Sequence, residues 1–320
     1  MIFETLILNM YKDNLYQRCD DEGTAFYFSA ADFPGLHVQP YDVTAAGGHT
    51  LRGWLYRYEV TRPNRLIVFD HGFGGGHRSY MKEIDRLCRA GYRVFAYDHT
   101  GCMESGGDTP NGMGQALCDL NDVITAIKAD RRFLGLQLSV MGHSWGGYAA
   151  ANIPALHPDI RHVVVLSGFV SVATMVGASF GGLLKGYRKP ILELERRSSG
   201  KFVDYDAVTA LTGAETKALL IYSDNDKELK SVQYETLLRG LADRKNVRLL
   251  LVHDKGHNPN YTTDAVRYLK EYSRALKKNM KRRRLETAEA KAAFVARWDW
   301  NRMTAQDDAI WAEILGHLDT

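Results

Sequence analysis

Leu138-Ser139-Val140-Met141-Gly142-His143-Ser144-Trp145-Gly146-Gly147 is the stretch around which the rest of the chain reads. An apolar run, Leu136 to Met141, stops at Gly142. After Ser144 come two glycines and the small residues Ala149 to Ala151. Gly142-His143-Ser144-Trp145-Gly146 fits G-x-S-x-G, in which a buried strand turns sharply into a helix and lifts a serine hydroxyl clear of the sheet. Such a turn strains the serine backbone and draws strand and helix so close that a Cβ at position 142 or 146 would clash. Five residues alone carry little weight. The strand before them and the helix after them add to it, and partners elsewhere in the chain must supply the rest.

Working outward, the chain alternates. Apolar runs predict strands at Arg65 to Asp70, Tyr92 to Tyr97, His162 to Leu166, Lys217 to Tyr222 and Val247 to Val252. Helical spacing falls at 79–89, 115–131, 230–242 and 262–279. Strand–helix alternation from 65 to 279 predicts an α/β fold with a mostly parallel sheet and helices on both faces. Ahead of it, 2–18 reads as a short amphipathic helix, and 36–45 with 50–58 as a hairpin turning at Ala46 to His49. In open α/β sheets, ligands sit at the carboxyl ends of the strands. The loops 71–76, 99–107, 142–147, 224–227 and 253–258 should therefore meet on one edge.

Two regions break the alternation. Residues 169–212 lie between strands without a strand pattern and read as a small helical cap insertion over the strand ends. Residues 281–320 read as a C-terminal extension, a helical pair packing Trp298, Trp300 and Trp311 on the core. The expected organisation is thus a domain over 1–280 carrying that cap, followed by the extension at 281–320.

A chain of 320 residues can bury one large α/β domain plus an insertion, and a net charge of +3 implies no polyanionic partner. Cys19, Cys88, Cys102 and Cys118 show no C-x-x-C spacing and read as free thiols, so a cytoplasmic setting is expected. Met1 to Met10 has no cationic cluster or cleavage site, and no run reaches the ~18 apolar residues of a membrane span. The basic residues Lys277, Lys278 and 281–284 read as a solvated helix end rather than a nucleic-acid or membrane patch. His71 and His77 have no carboxylate or cysteine at ligand spacing, so neither a metal nor a cofactor is expected.

A serine needs a base, and the base needs an orienting group. His257, on a glycine-containing loop past the last strand, is the candidate base. Its rival His253 ends the strand and is expected to pack there. Between serine and histidine, Ser223-Asp224-Asn225-Asp226 follows a strand. Asp224 and Asp226 compete, and reach across to a loop histidine favours Asp226. An oxyanion needs backbone N–H donors, expected from Trp145 at the helix start and from the loop His71 to Gly76. That loop lacks both G-x-G-x-x-G order and a G-K-[ST] tail, which argues against a nucleotide.

Taken together, His71-Gly72, Asp98 to Gly101, Gly142 to Gly147, Asp226 and Gly256-His257 resemble the α/β-hydrolase superfamily. The chain is most similar to its esterase, lipase and serine-aminopeptidase branch, over about residues 50–275. The resemblance implies the α/β-hydrolase fold, with Ser144 as nucleophile, His257 as base and Asp226 as acid. It also implies the amides of Phe73 and Trp145 as oxyanion donors. Phe73 stands where the HGGG type has glycine. Serine at 144, where dehalogenases and epoxide hydrolases carry aspartate, argues against those two reactions.

The expected function is a serine hydrolase acting on a small-molecule carboxylic ester. Met175 and Phe180 of the insertion, with Val176, Leu183 and Leu184 beside them, would form a compact acyl pocket. Two alternatives stand beside it. One is an aminopeptidase-like enzyme holding a free amine through Glu193 or Glu195. The other is a non-enzymatic binding protein on the same scaffold.

Overall fold

The computed structural model describes residues 2–62 and 64–320. Its eight-stranded sheet contains β1 (His37–Pro40), β2 (Gly53–Arg57), β3 (Arg65–Asp70), β4 (Arg93–Tyr97), β5 (Gln137–His143), β6 (His162–Leu166), β7 (Lys217–Ser223) and β8 (Val247–Val252). The spatial order is β1-β2-β4-β3-β5-β6-β7-β8. β2 is antiparallel to both β1 and β4, and every pairing from β4 to β8 is parallel. The expected hairpin is interrupted just past Pro40. β1 pairs with β2, while Val43–Thr44 and Thr50–Leu51 form a separate two-stranded ribbon.

Side-chain alternation along the central strands sets the layers. In β3, Leu66 and Val68 enter one apolar cluster and Ile67 and Phe69 the other. In β6, Val163 and Val165 oppose Val164 and Leu166 in the same way. One face is covered by helices that follow α1 (Ile2–Leu15) and α2 (Met81–Arg89) in the chain, namely α3 (Gln115–Ala129) and α4 (Trp145–Asn152). α2 itself covers the opposite face through Met81, Ile84 and Leu87.

The stretch between β6 and β7 is helical: α5 (Val172–Ser179), α6 (Arg188–Ser199) and α7 (Ala207–Thr212). The tyrosine hydroxyl of Tyr11 on α1 donates to Glu195 Oε1 on α6 at 2.7 Å, tying the first helix to this insertion. After β7 come α8 (Val232–Gly240) and, past β8, α9 (Thr263–Lys281).

Beyond residue 281 there are three helices where a pair was expected: α10 (Ala288–Val295), α11 (Trp300–Met303) and α12 (Asp308–Leu318). Trp298 and Trp300 join a small cluster with Tyr272 and Phe294. Trp311 goes further. With Ile314 and Leu318 of α12 it is shielded from solvent in the sheet core beside α2. No helix among the described residues is long and apolar enough to cross a membrane.

Candidate active site

The turn between β5 and α4 has the geometry its glycines predict. Ser144 sits at φ 55°, ψ −110°, a conformation that costs an L-residue energy and persists only where the surroundings enforce it. A Cβ on Gly142 would lie 2.2 Å from the Gly146 carbonyl oxygen, and one on Gly146 the same distance from that of Asp70. Helix and sheet approach this closely only with glycine at both places. The Ser144 N–H donates to Leu166 O at 2.8 Å, which leaves the side chain at the helix N-terminus facing out of the sheet.

Across the same edge, the loops after β7 and β8 clasp each other. Lys255 N donates to Ser223 Oγ at 3.0 Å and Gly256 N to Asn225 Oδ1 at 2.7 Å. This brings His257 Nδ1 to 2.8 Å from Asp226 Oδ2, while Asp226 Oδ1 accepts the amides of Glu228 and Leu229 at 2.8 and 3.0 Å. Burial would raise the Asp226 pKa. The hydrogen bond from His257 and those two amides outweigh it and hold the carboxyl below its usual range. With Nδ1 taken, Nε2 is the ring nitrogen that can accept a proton.

His253 does not pack as expected. Its side chain is 82% exposed and pairs with Asp224, Nδ1 to Oδ2, at 2.6 Å. β8 is the edge strand, and at its end the His253 ring points into solvent while Val252 before it stays buried. The two Asp–His pairs are therefore separated by environment, one at the cavity and one in solvent.

Two histidines flanking Ser144 were not singled out by sequence reasoning for the work they do. His71 Nε2 accepts the His99 amide at 2.9 Å, and its Nδ1–H donates to Gly72 O at 2.8 Å, pinning the loop after β3. His143 Nε2–H donates to the His257 carbonyl at 2.7 Å. Its Nδ1 accepts the Tyr80 hydroxyl at 2.7 Å, and the Tyr80 oxygen in turn accepts the Gly72 amide at 3.0 Å. His143 stood within the quoted motif, but nothing in the sequence joined Tyr80 to it.

Burial pushes the pKa of His71, His143 and His162 down to about 3 each. Burial acts on His99 in the same direction, but the flanking carboxylates of Asp70 and Asp119 outweigh it and hold its pKa up at about 10. A pH dependence follows. Below about 6.5 the unfolded chain protonates His71, His143 and His162 while the fold refuses those protons. Their stability contribution is full above that pH and is lost as pH falls toward 3, at about 1.4 kcal/mol per proton per pH unit. Glu83, raised to about 7 by burial, works the other way between pH 7 and 4.5, as do Asp70, Asp122 and Glu195, raised by burial too, while His157 and His317, lowered by burial, add to the loss. The melting temperature should therefore fall between pH 6.5 and 4, and less steeply in His143→Gln. Thermal melts across that range check it; equal slopes for the two proteins would remove His143 from the account.

A cavity of about 490 Å³ opens at this edge, lined by Phe73, Ser144, Trp145, Met175 and His257 together with Leu15, Met113 and Phe169. Neither the Phe73 nor the Trp145 amide donates to a protein acceptor among the described residues. The Phe73 ring stands edge-on to Trp145, with centroids 5.3 Å apart. Asp226 lies behind His257, its side chain 6% exposed. Phe180 is not in the lining; its ring packs beside Tyr11 at 6.2 Å. Glu195 is buried and accepts from the hydroxyls of Tyr11 and Tyr16 and the amides of Met113 and Gly114, while Glu193 is exposed on α6. Chemically, the edge offers a hydroxyl, an imidazole backed by a carboxylate, and two amides beside an apolar space.

Comparison with known proteins agrees with this architecture. Residues 61–240, more than half of the chain, match the family model described as serine aminopeptidase, S33. Epoxide hydrolase B of Mycobacterium tuberculosis is 31% identical over 149 residues, 45% of this chain and 40% of that protein. A proline iminopeptidase of Lactobacillus helveticus is 28% identical over 124 residues, 37% of this chain and 40% of the relative. The chain thus spans about two fifths of the length of these curated relatives. An esterase from Pyrococcus furiosus shares the fold, with a TM-score of 0.58 and 17% identity over 88% of this chain and 99% of its own.

Proposed function

The chain belongs to the serine aminopeptidase S33 family of α/β hydrolases, and from that premise we propose that it cleaves carboxylic esters of short to medium acyl chains. Ser144 Oγ attacks the ester carbonyl as His257 Nε2 takes its proton. Asp226 holds the Nδ1–H and balances the imidazolium. The Phe73 and Trp145 amides receive the charge that develops on the carbonyl oxygen. His257 then returns the proton to the departing alcohol. Water, activated by the same imidazole, releases the acid from the acyl-enzyme.

One observation carries this reading. Ser144, held in a strained turn, lines a single cavity with the His257 imidazole that Asp226 binds at 2.8 Å. Met113, Phe169 and Met175 give the cavity an apolar wall suited to an acyl chain. A reducing, cytoplasmic setting suits its four free thiols.

The test is a substrate panel with a fluorophosphonate probe. Ser144 should label. Among p-nitrophenyl esters, kcat/KM should peak at roughly two to eight acyl carbons and fall for palmitate, with aminoacyl anilides slower still. A peptidase would need a carboxylate to hold the free amine, and Glu228 is the one that lines the cavity among the described residues. An anilide preference lost in Glu228→Gln would establish the peptidase instead. No labelling of Ser144 would favour a binding protein.

A further inference from the structure

We infer that the C-terminal extension positions His257: residues 305–307 form a strap that holds the histidine loop from its outer side. The loop follows β8, the edge strand, so the sheet supports it from one side only. It also carries Asp254 in the left-handed region, at φ 57°, a conformation that a non-glycine residue adopts at a cost, while Gly256 at φ 56° takes it freely.

The missing support comes from the extension. Tyr261 and Gln306 form an antiparallel bridge. Thr262 N donates to Ala305 O at 2.9 Å and Asp307 N to Asn260 O at 2.8 Å. On the other side of His257, Lys255 Nζ reaches Asp307 Oδ2 at 2.5 Å, with Lys255 only 8% exposed. Asp307 therefore grips the loop two residues before the histidine and three residues after it. Side chains reinforce the backbone rail. Asn260 Nδ2 donates to Gln306 Oε1 and to Glu83 Oε1 on α2, at 2.8 and 2.9 Å. Trp311 Nε1 donates to the same Gln306 oxygen at 2.8 Å.

The strap is itself anchored. Asp307 caps α12 by accepting the amides of Ala309 and Ile310, and α12 buries Trp311, Ile314 and Leu318 in the sheet core. A short rail fixed to a rigid helix is what a loop needs to hold an imidazole within a fraction of an ångström of its working place. Lys255 and Asp307 are positioning residues, acting through the backbone of His257.

Deleting residues 281–320 would strip α12 from the sheet, so the test uses point variants of the full chain. Asp307→Asn keeps a residue able to cap α12 and removes the charge. Lys255→Met keeps the apolar stem and removes the ammonium. The activity readout rests on the serine hydrolase reading. A second readout does not: the low-field proton resonance of His257 Nδ1–H in its bond to Asp226.

Each variant should lower kcat about tenfold with KM within about twofold, because the imidazole is misplaced while the acyl cavity is intact. The double variant should be no worse than either single one, since both break one contact. In all three the low-field resonance should broaden by exchange with water. Unchanged kcat with a sharp resonance would overturn the inference. So would a loss of activity that disappears on cooling well below the melting temperature, which marks a merely structural role. If the parent protein neither labels at Ser144 nor cleaves any ester, the hydrolase reading fails, and the resonance still decides the strap.

Discussion

Ser144→Ala should remove ester turnover by roughly four to six powers of ten and leave the fold intact. The activity half rests on the lack of any substitute nucleophile in the proposed mechanism. His257 could still activate water, but water is not held at the elbow or driven against the carbonyl by a fixed backbone. The stability half rests on where the side chain points. Ser144 owes its place to main-chain bonds, its N–H to Leu166 O and its carbonyl from Tyr148 N, and alanine keeps both. Alanine meets the same strain at φ 55° as serine does, so the melting temperature should stay within a few degrees. The assay is kcat/KM on p-nitrophenyl butyrate beside a thermal melt. Turnover within tenfold of the parent would refute the nucleophile assignment. A collapsed melt would instead mean that the hydroxyl holds the turn together.

That Ser144 could be set at a strand-to-helix turn from the sequence has a physical reason. Central strands of a parallel sheet are covered on both faces, so they appear as unbroken apolar runs. 65–70 and 162–166 could be read off with the bounds observed, and 92–97 and 217–222 to within one residue of the strands 93–97 and 217–223, and their carboxyl ends fix where loops converge. Reading was poorer where a neighbour was missing. At the sheet's first edge the hairpin breaks into two pairings. At its last edge His253, expected to pack, stands in solvent.

Side-chain direction inside the insertion was also beyond reach, because a helical segment with no sheet under it has no fixed inner face. Met175 turns to the cavity while Phe180 turns to Tyr11. Glu195 is drawn inward by a tyrosine hydroxyl 184 residues away in the chain. The groups that set the histidine in place are of the same kind. Tyr80 and His143 act through a ring tautomer and a distant carbonyl, and Lys255 and Asp307 through an ion pair across 52 residues, and neither composition nor period reports such pairings.

Asp226→Asn is the second large effect expected, about 10⁴-fold in kcat at neutral pH. The asparagine oxygen would keep the amides of Glu228 and Leu229 that Asp226 Oδ1 accepts now. That choice points its NH₂ group at His257 Nδ1. Two donors cannot face each other, so the imidazole must give up the Nδ1 proton and carry it on Nε2 instead. Nε2 then faces the serine as a donor and cannot accept. The imidazolium formed during attack would also lose its counter-charge. Asp224→Asn alters the same kind of pair two residues earlier, but His253 there is 82% exposed and water replaces the lost partner. Its activity should stay within about threefold of the parent, as for other solvated surface pairs. Rates of both variants on one ester, measured at a pH where the parent is fully active, decide between the two loops. If Asp224→Asn proved the damaging one, the acid would move to Asp224 and His253 would have to reach Ser144 by a rearrangement of the β8 loop.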